Sequence, residues 1–353
     1  MSNFDDLRQA VDALSGGANK VILDNLEMPS IVVPIPLARY AQVMDDGTQE
    51  PLPAFLLSNV EIETIYLSKY QNIVIDGRAY SLPLKDPETN INFDDAVLAC
   101  QNKGLGWHLQ TNALWAAIAL VCKRFGALPR GNNSSGFDVL TAESGTRTAE
   151  GRTSGGSGAL SWYHNRHDTG VADLNGNVRE WCGGLRLMDG EIQIIPYGNA
   201  MRPDCDMSQN SGEWRAILPD GSLAPPGTPN TLKFDFTPGG IMRGTENFEL
   251  CSNAIKQKFD DVFGQRNFGK LEAREGLNIP MLLKGLGLFP HDTEGYENQG
   301  DFLFRNSGER LPLRGGSFVD GRQAGAFALS LINTRNKNSP RMGFRAAYIE
   351  LRR

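Results

Sequence analysis

The chain has 353 residues, of which 40% are hydrophobic and 22% charged, with a formal net charge of -6. This length predicts one large domain with a smaller appendage, and the acidic balance excludes a broad electrostatic footprint for nucleic acid. Residues 1–6 lack the basic and apolar regions of a signal peptide, and no apolar run approaches a membrane span. We therefore expect synthesis in the cytoplasm and no membrane insertion.

The five cysteines are odd in number and widely spaced, which favours reduced structural thiols over a disulfide framework or a metal site. A helix is predicted over residues 2–14, where apolar residues recur at helical spacing before Gly16. Short apolar runs interrupted by prolines then predict irregular β structure. We expect residues 1–60 to be a small β-rich region that serves assembly or attachment, or else the first strands of the main domain.

The main domain is predicted to span residues 61–353. Asn92 is a candidate N-cap for a first helix, and a second helix is predicted to start near Thr111. Two stretches rich in glycine, with serine and asparagine in 126–161 and proline in 203–300, predict long loop insertions within this domain.

Four motifs carry a resemblance to a known family. In chain order they are Asp94-Asp95-Ala96, the segment 109–115, the segment 173–181, and Arg314-Gly315-Gly316-Ser317 with Gly343-Phe344-Arg345. Together they resemble the formylglycine-generating-enzyme branch of the C-type lectin fold. The resemblance implies an α+β fold in which two helices flank irregular antiparallel sheets with long loop insertions. It leaves residues 1–60 and most of 203–300 uncovered.

The motif residues also have structural explanations that require no chemistry. A tight turn explains the Asn-Gly-Asn sequence, a buried anchor explains each tryptophan, and close backbone approach explains the paired glycines. We therefore assign these residues to the scaffold. The scaffold residues are Trp115, Asp173, Asn175, Gly176, Asn177, Trp181, Arg314, Gly315, Gly316, Gly343, Phe344 and Arg345.

Catalytic members of the resembled family use two cysteines between the Gly-Gly-Ser and Gly-Phe-Arg strands to bind copper. That segment has no cysteine here, and the last cysteine of the chain is Cys251. Related iron oxygenases need three histidines, whereas His164 and His167 have no third ligand nearby, so a polar loop is favoured over a metal pair. We expect no catalytic residue and no metal site, with a formylglycine-generating-type oxidoreductase as the disfavoured alternative.

Residues 313–347 resemble the variable region of proteins that are diversified by retroelements, in which adenine-directed mutagenesis randomises chosen codons on a lectin-fold scaffold. Mutated Asn codons would explain the chemically unrelated side chains between the framework residues, apart from Gln323. The predicted ligand-binding positions are Ser317, Val319, Asp320, Arg322, Gln323, Leu329, Leu331, Ile332, Asn336, Asn338, Arg341 and Met342. Alternatively, Leu329, Leu331 and Ile332 are core residues of a strand, which their spacing allows for two of the three.

The resemblance implies recognition rather than reaction. We expect residues 317–342 to form a mostly flat, solvent-facing patch, deepened by Trp162, Tyr163 and the loop 131–136. A few apolar and arginine anchors would supply the affinity. The best anchor candidates are Arg322, Leu329, Leu331, Ile332, Arg341 and Met342.

The expected partner is a variable macromolecular ligand, a protein of the host-cell surface. The expected setting is a virion, as a viral or phage receptor-binding or tail-fibre protein that gains avidity by oligomerising. A cellular display protein and a structural virion component are the alternatives. No cofactor is expected apart from a structural calcium near Asp168, Asp173 and Asn175, where loop polarity explains the oxygen-bearing side chains equally well.

Overall fold

The computed structural model describes residues 4–237, 244 and 247–351; the remaining parts of the predicted segments 1–60, 203–300 and 61–353 lie outside the described residues. The described residues form an α+β fold with many strands and few helices. The helices are α1 (Asp5–Ser15), α2 (Tyr40–Val43), α3 (Phe93–Gln101), α4 (Asn112–Arg124) and α5 (Met281–Gly285). Within these ranges, no helix has both the length and the apolar character that a membrane crossing requires.

The strands are β1 (Lys20–Leu23), β2 (Pro29–Pro36), β3 (Leu56–Leu57), β4 (Val60–Glu61), β5 (Thr64–Ser68), β6 (Ile73–Ile75), β7 (Arg78–Tyr80), β8 (Trp107–Leu109), β9 (Arg179–Trp181), β10 (Leu185–Met188), β11 (Glu191–Ile194), β12 (Arg215–Ile217), β13 (Leu223–Ala224), β14 (Lys233–Phe236), β15 (Phe248–Cys251), β16 (Gly264–Asn267), β17 (Asp301–Phe304), β18 (Glu309–Gly315), β19 (Gly325–Asn333), β20 (Met342–Phe344) and β21 (Ala346–Tyr348). Single turns of 3₁₀ helix lie at Pro53–Phe55, Ala149–Gly151, Leu160–Trp162, Asn199–Met201, Phe268–Lys270 and Gly321–Gln323.

Side-chain caps confirm the two predicted helix starts. The side chain of Asn92 accepts a hydrogen bond from the Asp95 amide at 2.9 Å, and that of Thr111 accepts from the Leu114 amide at 3.1 Å. Each cap satisfies an amide that the first helical turn would otherwise leave unpaired. At the C-terminal end of α1, Gly16 adopts a left-handed conformation with φ of 59°, which explains why this helix ends there.

Two sheets hold the fold together. A five-stranded sheet has the order β1-β2-β5-β21-β8, and a larger sheet follows the path β13-β12-β11-β10-β18-β19-β17-β16 with β9, β14, β15 and β20 attached. Strands β1 and β2, from the first 60 residues, thus share a sheet with β21 near the end of the chain. This sheet therefore includes strands from both sides of the predicted boundary at residue 60.

The two predicted insertions differ in structure. Residues 126–161 contain no strand in the described structure, only turns, isolated bridges and short pieces of 3₁₀ helix. Residues 203–300, in contrast, contribute β12 to β16 to the large sheet, so this segment is not simply loop. Its Phe234 packs on Phe302 with ring centroids 4.5 Å apart, and its Phe248 packs on Phe304 at 4.8 Å. These aromatic contacts cover β17 on the side that faces the core.

One buried arginine joins the two sheets. Arg345 lies between β20 of the large sheet and β21 of the small one, and both it and Glu180 on β9 are fully buried. Its guanidinium donates to the two carboxylate oxygens of Glu180 at 2.8 and 2.9 Å, and to the carbonyls of Ser68, Lys69 and Ala172 at 2.9 to 3.0 Å. The Arg345 side chain therefore links β9, through a bidentate pair with Glu180, to β5 and to the segment before the 173–181 turn.

Asp173 is a second buried charge beside this pair. One of its carboxylate oxygens accepts from the Gly156 amide at 2.8 Å, and the other has no partner within the described residues. Burial raises the pKa of Asp173 to about 6, although the Gly156 hydrogen bond and the nearby Arg345 oppose the shift. The Asp173 backbone has φ of 62°, a left-handed conformation that Asp and Asn tolerate better than other residues with side chains.

We predict that Arg345→Met lowers the free energy of unfolding by about 3–5 kcal/mol, because it leaves the Glu180 carboxylate buried without its cation. Urea denaturation followed by circular dichroism measures this loss. Arg322→Met, at an exposed arginine, is the matched control and should change the free energy by no more than about 0.5 kcal/mol. A similarly small effect at Arg345 would show that the pair does not hold the sheets together.

We predict that Asp173→Asn removes a pH dependence of stability. The pKa of this carboxyl is about 6 in the folded chain against 3.8 as the ordinary value, so the folded state binds the proton more tightly. Its contribution is fully present below about pH 4 and is lost as the pH rises through about 6, a fall of about 3 kcal/mol. In urea denaturation from pH 4 to 7, the free energy of unfolding of the variant should rise relative to that of the wild type by about that amount. Parallel pH profiles for the two proteins would contradict the prediction.

Candidate ligand-binding face

Two loops of the predicted variable region meet at Arg179 on β9. The Arg179 guanidinium donates to both carboxylate oxygens of Asp320, at 2.8 and 2.9 Å, in the loop 317–324. Its backbone amide donates to the Arg341 carbonyl at 2.9 Å, at the end of the loop 334–341. Strand β20 pairs in parallel with β9 and sets Met342 opposite Arg179. One residue of the frame therefore positions both loops.

The loop 317–324 is closed by its own hydrogen bonds. The amide and hydroxyl of Ser317 donate to one carboxylate oxygen of Asp320 at 2.7 and 3.0 Å. Gly316, with φ of 77°, begins the turn, and a Cβ at this position would lie only 2.5 Å from the Cβ of Ala324. The Gly-Gly-Ser motif thus allows a tight turn in which Asp320 serves as the acceptor at the centre.

A second layer of loops supports the loop 317–324 from below. The Gly321 amide donates to the Asn133 carbonyl at 2.8 Å, and the Phe318 amide donates to the Asn177 carbonyl at 3.0 Å. The Asn177 side chain accepts from the Thr153 amide at 2.9 Å and is fully buried. The 173–181 motif and the first insertion therefore form the base on which this loop rests.

Six of the predicted ligand-binding residues are exposed. They are Val319, Arg322, Gln323, Asn336, Asn338 and Arg341. Asp320 and Ile332 are half-buried. We call the six exposed residues together with Ile332 the binding face. Within the described residues, the side chains of Gln323, Asn336, Asn338 and Arg341 make no hydrogen bond, so they are available to a ligand.

The prediction of a solvent-facing position is wrong for the other four residues. Ser317, Leu329, Leu331 and Met342 are buried, with 0 to 4% of their surface exposed. On β19, Leu329 and Leu331 stand opposite Phe302 and Phe304 of β17 and pack in the core. The alternative interpretation, in which two of the three apolar residues of this strand are core residues, is correct for these two leucines.

The predicted deepening of the patch by two aromatic residues is also wrong. Trp162 is fully buried and Tyr163 is 6% exposed, so neither reaches the surface. The Tyr163 hydroxyl donates to the Gly156 carbonyl at 2.8 Å, which commits it to the loop base. Of the loop 131–136, Asn132 and Asn133 are buried and act as supports rather than as contacts.

Sequence reasoning missed a shallow crevice beside the binding face. It has a volume of about 30 Å³ and lies between Arg179, Asp320 and Gln323 on one side and Leu303 and Ser330 of β17 and β19 on the other. The parallel pairing of β17 with β19 places Leu303 opposite Ser330, which no local sequence signal announces. Arg179 belongs to the 173–181 motif, and it is half-buried whereas the other residues of that motif are buried. A charged residue within such a motif could have been noticed as a candidate.

The chemistry of the binding face favours contact over reaction. Its side chains are apolar, amide or guanidinium groups, and the neighbouring Asp320 carboxylate is paired with Arg179. The cysteines Cys100, Cys122, Cys182, Cys205 and Cys251 are all free and buried. Burial raises the pKa of every one of these thiols, to about 12 for Cys122 and Cys205, so they are protonated at neutral pH. A protonated, buried thiol is a poor copper ligand.

The two candidate metal histidines have separate partners. His164 uses Nδ1 to accept a hydrogen bond from the Val171 amide at 2.7 Å, whereas the exposed His167 lies 2.8 Å from Asp168. In the described part of the chain, no three His, Cys, Asp or Glu side chains are grouped as metal ligands. The Asn175 side-chain amide donates to the Pro129 carbonyl at 2.9 Å, and this hydrogen bond connects two loops. The calcium near Asp173 stays a prediction.

Comparison with known proteins returned structural neighbours only. No protein-family model matches the sequence, and no curated protein matches it. One similar structure is Treponema denticola variable protein 1, at 11% identity and a TM-score of 0.34, over 94% of this chain and 98% of that one. A second is PvdO from Pseudomonas aeruginosa, at 11% identity and a TM-score of 0.36, over 93% and 97% of the two chains. A third, the Major Tropism Determinant U1 variant, has 9% identity and a TM-score of 0.31, over 90% of this chain and 62% of its own.

Proposed function

We propose that this chain is a non-catalytic ligand-binding protein for receptor recognition, whose binding face is diversified by a retroelement. The observation that carries the proposal is the contrast between two layers of the same segment. Between residues 313 and 347, Arg314 and Arg345 are fully buried and bonded on several sides, whereas Gln323 and Arg341 are exposed without a hydrogen-bonded side chain. Substitution in the outer layer leaves the inner layer intact.

The frame beneath the face is independent of the exposed side chains. Arg314 donates to the Asn112 amide oxygen at 2.7 and 2.8 Å and to the Gly287 carbonyl at 3.0 Å, which ties β18 to α4 and to the turn after α5. Trp115 on α4 donates to the Ala326 carbonyl of β19 at 2.7 Å. These contacts form before any ligand arrives, and a preformed site binds without the entropy cost of ordering its loops.

The binding face suits a macromolecular partner. Its residues come from two surface loops and one strand, and the crevice that Gln323 lines, at about 30 Å³, is too small for a small-molecule ligand, which favours a broad macromolecular contact area. Arginine, amide and branched apolar side chains such as those of Arg322, Arg341 and Ile332 are suited to such contacts. We propose a host-cell surface protein as the ligand and a viral or phage receptor-binding or tail-fibre protein as the setting.

Weak individual contacts on such a face would gain strength from repetition. Several copies of the chain in one assembly convert later binding events into intramolecular ones, which raises avidity without new contacts. We therefore include oligomerisation in a virion in the proposed function. A purely structural virion component is the competing role, and a comparison of gene copies separates the two.

We predict that the face can be rewritten without loss of the fold. A variant with Val319→Ser, Arg322→Ile, Gln323→Asp and Arg341→Ser should lose at most about 2 kcal/mol of unfolding free energy, because exposed substitutions cost about 0.5 kcal/mol or less each. The matched control is Leu329→Ala in the same segment, which should cost about 2–5 kcal/mol because it leaves a core cavity. Urea denaturation measures both. A rewritten face that unfolds the protein would contradict the separation of layers.

We predict that related copies of the gene differ mainly at the codons of the binding face. Sequencing the encoding locus should reveal a near-copy of codons 313–347 beside a reverse transcriptase, differing at adenines. Replacements should concentrate at the exposed positions, with Leu329, Leu331 and Met342 restricted to apolar residues by their burial. Codons 92–124, which encode α3 and α4, serve as the control region. Equal variation in both regions would favour a structural virion component.

A further inference from the structure

A cavity of about 480 Å³ lies under α4, and none of its lining residues belongs to the binding face. Strand β2 and helix α2 form one wall, with Ile35 and Ala41, and helix α4 forms the other, with Ala117 and Val121. His164 completes the lining. Clefts of 300 to 1,000 Å³ with mostly apolar walls are the usual size of small-molecule sites.

The cavity is built into the fold rather than formed by a loose surface. Ile35, Val43 and Ala117 are buried members of the main hydrophobic core, with 1 to 8% of their surface exposed. The small side chains of Ala41 and Ala117, which face the space from α2 and α4, leave it open. The space is open to solvent on one side, and its mostly apolar lining offers water few hydrogen-bonding partners.

An exposed aromatic residue stands among the lining side chains. Phe125, directly after α4, is 75% exposed although most of the large apolar residues around the cavity are buried. The exposed Arg124 and Gln42 are already engaged, Arg124 with Asp45 at 2.7 Å and Gln42 with the Arg39 amide at 2.7 Å. The lining therefore combines open apolar surface with a paired arginine and an amide whose oxygen is paired.

His164 supplies one unused polar group. Its Nδ1 accepts from the Val171 amide, so in the neutral ring the proton is on Nε2. Burial lowers the pKa of His164 to about 4, with a smaller effect from Arg345, so the ring is uncharged at neutral pH. Nε2 has no hydrogen-bond partner in the described part of the chain. It is thus a neutral donor in a mostly apolar lining.

We propose that this cavity binds a small uncharged amphipathic molecule, with an apolar body against α4 and one hydrogen-bond acceptor at His164 Nε2. A medium-chain alcohol or ester has this chemistry. Burial of the apolar body drives the binding, and the histidine fixes the orientation of the polar end. A carboxylate fits less well, since the neutral imidazole offers no charge and Arg124 is already paired with Asp45. This site is independent of the proposed recognition function.

The experiment uses the full chain and the uncharged fluorescent probe N-phenyl-1-naphthylamine, whose emission rises in apolar surroundings. We expect the probe to bind and 1-decanol to displace it, with decanoate at least tenfold weaker. Ala41→Trp, which fills the space from α2, should weaken decanol binding at least tenfold. His164→Leu should weaken it about fivefold to tenfold by removing the donor. Ala13→Trp, at an exposed position on α1, is the matched control and should leave the binding unchanged.

Each result decides the proposal once folding has been checked by circular dichroism. If Ala41→Trp fails to fold, Val121→Phe fills the same space from α4 and replaces it. Full decanol affinity in the filled variant would overturn the site, as would failure of the wild type to bind either the probe or decanol. Decanoate binding as tightly as decanol, or an unchanged decanol affinity in His164→Leu, would overturn the chemical class.

Discussion

Arg345 occupies the point where the chain leaves one sheet and enters the other, and its guanidinium contacts both. Burying an arginine and a glutamate removes two charges from water at a considerable cost, which is offset only when nearly every donor finds an acceptor. Glu180 takes two donors, and the carbonyls of Ser68, Lys69 and Ala172 take the others. Asp173 adds a further buried carboxylate near the same cation. The sheets are thus held in one arrangement by a network that tolerates little change.

That rigidity explains why the outer layer can be free. On strand β9 the buried Glu180 directly follows the half-buried Arg179, so the buried pair fixes the direction of the Arg179 side chain. Arg179 in turn holds Asp320 and the Arg341 carbonyl, which orders the two loops of the binding face. The exposed side chains contribute nothing to this chain of contacts. The side chains of the binding face can change while its loops keep their shape only if these side chains are separate from the contacts that order the loops.

The parts of the structure that the sequence predicts are those that depend on neighbouring residues in the chain. The helix starts at Asn92 and Thr111 depend on capping by neighbouring residues, and the 173–181 turn depends on its own Asn-Gly-Asn sequence. Strand β19 is different, because both of its faces are partly covered and β18 pairs with it through two register shifts. Alternation places Leu329 and Leu331 on one face and Ile332 on the other, but it does not tell which face lies in the core when both are partly covered. The parallel partner β17 follows the long insertion, and pairing over such distances has no local signature.

Helix α4 connects the frame of the face to the cavity. Trp115 on this helix bonds β19, while Ala117 and Val121 on the same helix line the cavity. A molecule that binds the folded chain in the cavity, and not the unfolded chain, stabilises the fold in proportion to the logarithm of its concentration over its Kd. Proteins with different binding-face sequences would gain the same stabilisation, because none of the cavity-lining residues lies in the binding face. It would offset the small cost of unfavourable face sequences and so widen the range of sequences that one frame can carry.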